Sequence, residues 1–193
     1  MRSRITLAVV VPVLAVAAIA VVTAPSSGED ASPSPPSPPE TSFAVLRDGA
    51  PASAAARSDM ARHAARAGAQ AGSREGGAAP RDLNVRMSRG ASDHGSTVAA
   101  TDDLVCLSVD GIVGCAMRAS AERPDRPLVG FHLVDGDRWR VSGLMIDGVT
   151  RVAVDGVEAR VIDNVFSVDV GQVPTTLSWN SSGGTSREMQ LAR

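Results

Sequence analysis

The sequence contains no lysine and no tyrosine. All 19 basic residues are Arg, and aromatics make up 3% of the 193 residues. Without lysine there is neither a Schiff-base amine nor a phosphate-loop lysine. With so few aromatics there is no stacking platform for nucleic-acid bases. No two of the three histidines stand at metal-ligand spacing. Gly-x-Ser-x-Gly is missing, and with it the strained turn that presents a hydrolase serine. No Asp-x-Asp-x-Asp-Gly calcium loop surrounds the Asp-Gly pairs. A charge excess is missing too: the net charge is −2, with +3 in residues 41–100 and −4 in 101–193. The acidic balance of the second half disfavours nucleic acid or any other polyanion as a partner. No cofactor is indicated.

What the sequence does have begins at the N-terminus. Arg2 and Arg4 precede Ile5–Val22, an apolar run broken only by Thr6 and Pro12. At about 1.5 Å per residue an 18-residue helix is roughly 27 Å long, close to the thickness of a bilayer core. Positive charge before it, with Glu29 and Asp30 after it, predicts a single span with the remainder outside the cytoplasm. A cleaved signal peptide ending at Ala18-Ile19-Ala20 is the alternative, giving a secreted protein. A lipoprotein anchor is excluded because no Cys lies near the end of the run. Residues 1–23 are thus read as an anchor and 24–40 as a linker. Ser32–Pro39 reads Ser-Pro-Ser-Pro-Pro-Ser-Pro-Pro, an extended stalk that buries nothing.

Residues 41–81 are rich in Ala, Arg and Gly. Ala52–Gln70 has high helix propensity, but its apolar stripe is only Ala56, Met60, Ala64 and Ala67. A marginal, short Ala-rich helix followed by a mobile loop is expected.

From residue 82 the pattern changes to short alternating runs, including Leu83/Val85/Met87, Val105/Leu107/Val109, Val152/Val154, Phe166/Val168/Val170 and Leu177/Trp179. Asp-Gly at 110, 135, 147 and 155 supplies positive φ for tight turns. Residues 82–193 are therefore expected to form an Ig-like antiparallel β-sandwich. A two-residue turn at Asp110-Gly111 places Cys106 directly opposite Cys115 in a non-hydrogen-bonded pair, with Cα atoms about 4.5 Å apart. An exported chain should oxidise that pair to a disulfide. At Asp135-Gly136 a three-residue loop, Asp135–Asp137, pairs Leu133 with Trp139 and Phe131 with Val141, turning His132 to the other face and solvent. At Asp155-Gly156 a two-residue turn would set Arg151 against Arg160, so a bulged turn is expected there.

Candidate chemistry is thin. Asp93-His94 with Ser92 and Ser96 sits in a Ser/Gly-rich loop, and the pairs Asp102/Asp103 and Asp135/Asp137 are turn residues that sequence cannot place across a cleft. Asn180-Ser181-Ser182 fits a glycosylation acceptor.

One set of residues carries a resemblance. Gly143–Val149 reads Gly-Leu-Met-Ile-Asp-Gly-Val, Arg151–Val154 alternates, and Asp163–Phe166 reads Asp-Asn-Val-Phe. This is similar to a motif of exported actinobacterial proteins of uncharacterised function, Gly-Leu-x-Pro-Asp-Gly-Val followed by Asp-Asn-x-Phe. Those proteins also have a Cys-containing hairpin and a Phe-x-x-Leu-Arg segment like Phe43–Arg47. Ile146 stands where that pattern usually has Pro, which makes the turn less rigid. The resemblance implies an envelope location and brings no catalytic residues. Gly143, Asp147, Gly148, Val149, Asp163, Asn164 and Phe166 read as structural. The function expected is non-catalytic binding of an envelope protein or polymer, on a membrane-tethered β-domain. A hydrolase using His132 or an Asp pair, a ligand sensor and a structural envelope protein are the alternatives.

Overall fold

The computed structural model describes residues 42–71, 82–89, 95–181 and 183–191. All of them belong to one compact unit, Pro39–Arg193. The expected anchor at 1–23 and the linker at 24–40 lie outside the described residues. Among the described residues no helix is long and apolar enough to cross a membrane.

Among the described residues the alternating runs form a mainly β structure of twelve antiparallel strands in three sheets. The first sheet is a meander of β1 (Ala50–Pro51), β2 (Asn84–Ser88), β3 (Ser96–Ala100), β4 (Leu104–Val109) and β5 (Ile112–Met117), in that order. The second contains β6 (Leu128–Asp135), β7 (Arg138–Leu144) and β10 (Val165–Val170), ordered β10-β7-β6. The third contains β8 (Arg151–Val154), β9 (Val157–Arg160), β11 (Thr176–Asn180) and β12 (Ser186–Gln190), ordered β12-β11-β8-β9. Among the described residues three helices accompany them: α1 (Ala44–Asp48), α2 (Ala54–Ala71) and α3 (Arg118–Ala121).

Alternation along each strand decides which core its side chains join. In the first sheet, Val98, Ala100, Val105, Leu107 and Val109 share a cluster with Phe43, Val45 and Leu46, and with Leu144 and Val165 of the second sheet. The alternate residues Val85, Ala99 and Cys106 pack on the other face under Met60 and Ala64 of α2. Covered on both sides, β3 is buried at all five positions. One face of the second sheet meets the third in a separate cluster that includes Val141, Phe166 and Val170 with Val152, Val154, Leu177 and Trp179.

Residues 42–71 do more than the sequence suggests. α2 docks through Met60, Ala64 and Gly68, and the lack of bulk at Ala64 and Gly68 lets the helix approach the sheet. Ser53 Oγ accepts from Ala56 N at 3.2 Å, capping the helix start. Phe43, Val45 and Leu46 are 0, 2 and 3% exposed. Burying such side chains contributes about 2 kcal/mol each. Residues 42–71 therefore share core clusters with strands of the first and second sheets.

The hairpins test the turn arithmetic directly. At β4–β5 the register puts Cys106 opposite Cys115, joined by a disulfide with Cα atoms 4.1 Å apart. Asp110 and Gly111 both have positive φ, as a type I′ turn requires. At β6–β7 Leu133 faces Trp139 and Phe131 faces Val141, but the closing pair is Asp135–Arg138. The loop is thus tighter than the expected Asp135–Asp137, and the extra residue, Val134, is absorbed in a bulge. At β8–β9 the expected bulge is absent, and Arg151 does face Arg160. Both arginines are exposed, and Glu158 Oε2 lies 3.7 Å from Arg151 Nη1, so water and an acidic neighbour screen the repulsion. The turn is also fixed from outside, because the Asp155 carboxylate accepts from the N–H and O–H groups of Thr175 and Thr176. Burial pushes the Asp155 pKa up, but these bonds together outweigh it and hold it below the usual carboxylate range.

Candidate functional site

Three stretches far apart in sequence meet at one end of β7. The loop after β7 carries Asp147, the turn before β10 carries Asn164, and α1 begins between them. Phe43, at the cap position of α1, offers the helix no side-chain cap, and a five-residue helix does not sustain itself in water. The missing acceptors come from elsewhere. Asp147 Oδ1 accepts from Ala44 N at 2.7 Å, and Asn164 Oδ1 accepts from Val45 N at 2.9 Å. Asp147 Oδ2 accepts from Arg47 Nη2 at 2.8 Å, and Asp147 N donates to Ser42 O at 2.8 Å. The two caps are themselves linked: Asn164 Nδ2 donates to Asp147 Oδ1 at 2.8 Å and to Met145 O at 3.0 Å. Residues 42–47 are thereby clasped to the sheets, with the Phe43 ring inserted beneath.

The neighbouring motif residues hold this clasp in shape. Asp163 and Asn164 have φ of 48° and 65°, a left-handed pair that Asp and Asn tolerate better than most residues. The Asp163 carboxylate accepts from Arg89 N and Nε, both at 3.1 Å, so Asp163 ties the turn to the end of β2 while Asn164 ties it to α1. The Arg89 hydrogen bond holds the Asp163 pKa below the usual range, with burial opposing it. Gly143 faces Phe166 across the β7–β10 pair, and a Cβ on Gly143 would lie 2.4 Å from the ring of Phe166. Only glycine lets that fully buried ring cross the strand. Gly148 has φ of 86°, and Val149 is buried in the core between the second and third sheets.

A second polar group lies at the other end of β7. The outer face of the second sheet is graded along the strands: Leu128/Leu144/Val165, then Gly130/Ser142/Ser167, then His132/Arg140/Asp169. The apolar row enters the core shared with the first sheet, and the serine hydroxyls of Ser142 and Ser167 are 3.0 Å apart. In the charged row Arg140 Nε and Nη2 donate to Asp169 at 2.7 and 3.0 Å, and Nη1 donates to Asp110 in the β4–β5 turn. These bonds raise the Arg140 pKa and hold that of Asp169 low. His132 is half-buried rather than turned freely to solvent. Burial, and then Arg140, keep its pKa below the ordinary imidazole value despite Asp110 and Asp169. A guanidinium saturated by two carboxylates is a fastening, not an acid or a base.

The remaining candidates are not brought together. Ser96 is 1% exposed with Oγ donating to Ser88 O at 3.4 Å, and residues 90–94 lie outside the described residues. Asp135 and Asp137 are exposed at a hairpin tip. Among the described residues no group of three His, Cys, Asp or Glu could hold a metal ion. On the opposite face of this end of the sheet the side chains are apolar: Leu133 stands in one cross-strand row with Trp139 and Val170, and Leu133, Val157 and Val173 are 51, 44 and 52% exposed. An open cleft of about 300 Å³ is lined by Asp155, Val157, Val170, Gly171 and Gln172. Sequence reading missed the Arg140 network, although Asp169 between Val168 and Val170 was a readable signal for an outward carboxylate.

No family model, no curated protein and no solved structure matches this chain.

Proposed function

We propose that this chain is an exported, membrane-tethered, non-catalytic binding module of the cell envelope, akin to the actinobacterial proteins whose motif it resembles. The tether rests on Arg2, Arg4 and the apolar run Ile5–Val22, and the spacing on the Pro/Ser stalk. We read β6–β12 as the Ig-like sandwich itself. In chain order these strands map to A, B, C, C′, E, F and G, giving E-B-A on one sheet and G-F-C-C′ on the other. The first sheet with α1 and α2 is then an addition to that sandwich rather than part of it.

The observation that carries the binding reading is the apolar end around Leu133, Val157 and Val173. Exposed apolar side chains grouped beside a cleft mark interaction surfaces more often than isolated ones do. The clasp supports the same reading, since the polar groups of Asn164 and Asp147 are engaged by residues 42–47. Crosslinking of the full-length chain in native envelopes tests it. A reproducible partner should be retained by wild type and lost with Leu133→Asp and Val173→Asp. An unchanged partner set, or a turnover abolished by His132→Ala or Asp137→Asn, would count against it.

A further inference from the structure

The chain contains Asp-Gly pairs at Asp48, Asp110, Asp135, Asp147 and Asp155, and the dipeptide is chemically labile. With no side chain on glycine to shield it, the glycine nitrogen can close on the aspartyl carboxyl carbon and form a five-membered imide. The carboxyl must be free to turn, and the nitrogen must be free to lose its proton. A hydrogen bond to either group has to break first.

Four of the pairs are restrained in this way. The Asp147 carboxylate accepts from Ala44 N, Arg47 and Asn164. The Asp155 carboxylate accepts from the N–H and O–H groups of Thr175 and Thr176. Asp110 is held by Arg140. At Asp48 the restraint falls on the nitrogen, because Gly49 N donates to Val45 O at 2.9 Å and closes α1.

Asp135-Gly136 is the exception. Asp135, Gly136 and Asp137 are all exposed at the tip of the β6–β7 hairpin. Among the described residues neither the Asp135 carboxylate nor the Gly136 N–H has a hydrogen-bond partner. Arg138, which faces Asp135 in register, has its guanidinium 3.8 Å from Asp169 instead. A Cβ at Gly136 would meet nothing within 4 Å, so the nitrogen stands in open space. A hairpin tip is also among the parts of a fold that open locally at least cost.

We propose that Asp135-Gly136 is a self-modification site, where Asp135 converts to isoaspartate while the other four Asp-Gly pairs persist. Gly136 N bonds to Asp135 Cγ, and its proton leaves with the carboxyl hydroxyl as water. Water then adds at the Asp135 main-chain carbonyl carbon and breaks the bond from that carbon to Gly136 N. The peptide now runs through Cβ and Cγ, one methylene longer, and the former main-chain carbonyl is a free carboxylate. Composition is unchanged, and solvent water is the only co-reactant. The lengthened turn no longer fits the Asp135–Arg138 closing pair, so the hairpin loosens next to Leu133 and Trp139. The chemistry holds whether or not that end binds a partner.

Ageing of the folded full-length chain in heavy-oxygen water is the test, with fragmentation mass spectrometry locating the label and enzymatic isoaspartyl methylation counting the product. Every imide that reopens takes an oxygen from solvent, whichever way it opens. Asp135 should take up label at least about tenfold faster than the aspartates of the other four pairs, and isoaspartate should accumulate there. In denaturant all the pairs should react at similar rates, since the protection of four is structural. Asp135→Glu, which would need a six-membered imide, should abolish uptake at that position. Comparable uptake at all the pairs in the folded chain, or fastest uptake at Asp48, Asp110, Asp147 or Asp155, would overturn the proposal. So would uptake at 135 that survives Asp135→Glu, or no uptake at Asp135 by the time the unfolded chain has reacted.

Discussion

The clasp and the charged row both fasten the first part of the chain to the second sheet, at opposite ends of β7, by different physics. The Asn164 half of the clasp is buried and directed at backbone: Asn164 is 7% exposed, and the groups it satisfies include Val45 N–H and Met145 C=O, while the Asp147 side chain is 37% exposed. The charged row is an ion-pair network, with Arg140, Asp110 and Asp169 side chains 25, 20 and 28% exposed. A buried acceptor that disappears leaves orphaned backbone groups with no water to replace it. A partly exposed ion pair that disappears is largely compensated by solvent and salt. The clasp should therefore dominate stability, and the row should dominate the response to pH and ionic strength.

The largest expected effect is at Asn164. Asn164→Ala orphans a buried N–H and a buried C=O and puts a Cβ residue without a side-chain amide at φ of 65°. A loss of about 4 kcal/mol is expected in denaturant unfolding. Asn164→Gly relieves only the backbone part and should recover about 1 kcal/mol of it. Nearly full recovery in the glycine variant would mean that the turn, not the clasp, sets the stability.

Next comes the interlock beneath the clasp. Gly143→Ala drives a methyl into the Phe166 ring and should cost about 2–3 kcal/mol. Combined with Phe166→Leu, the cost should fall below the sum of the two single changes, because the smaller side chain gives room. Strict additivity would place the problem in the β7 backbone instead. Removing the disulfide with Cys106→Ser and Cys115→Ser should cost about 2 kcal/mol, since the closed loop is short.

The charged row should show the smallest effect at neutral pH and a distinctive dependence on conditions. Arg140→Gln should cost about 1 kcal/mol at low salt and less at high salt. Arg140 holds the Asp169 pKa low, and burial followed by Arg140 holds that of His132 low. Both are depressed, so wild-type stability is fully present above the unfolded values, about 6.5 for His and 3.9 for Asp. It falls as pH drops through the folded ones. Arg140→Gln should flatten both declines in unfolding measured from pH 7 to pH 3. An unaltered pH profile would show that the row contributes nothing.

How much of this was legible in the sequence depends on the separation of the partners. The β4–β5 register and its disulfide follow from a single Asp-Gly pair, because everything that fixes them lies within ten residues. The Leu133–Trp139 pairing was readable for the same reason, although the bulge at Val134 was not. The role of Phe43–Arg47 was hidden, because its caps lie 103 and 119 residues away and α1 is too short to announce itself. α2 looked poor because the core that its Met60 and Ala64 join is completed by Val85, Ala99 and Cys106 beneath it. The expected bulge at Asp155 failed because solvent exposure and Glu158 outweigh a like-charge pair that looks severe on paper. The motif residues were visible as a pattern, yet only the meeting of Asp147 with Asn164 shows what the pattern is for.

The central claim is that this motif is a clasp on residues 42–47. Residue-resolved hydrogen exchange at the Ala44 and Val45 amides of the full-length chain tests it most directly. The account predicts that both amides exchange nearly as slowly as core strand amides in wild type. In Asp147→Ala the Ala44 amide, and in Asn164→Ala the Val45 amide, should become fast while β11 stays protected. Fast exchange of both amides in the wild-type chain would contradict it.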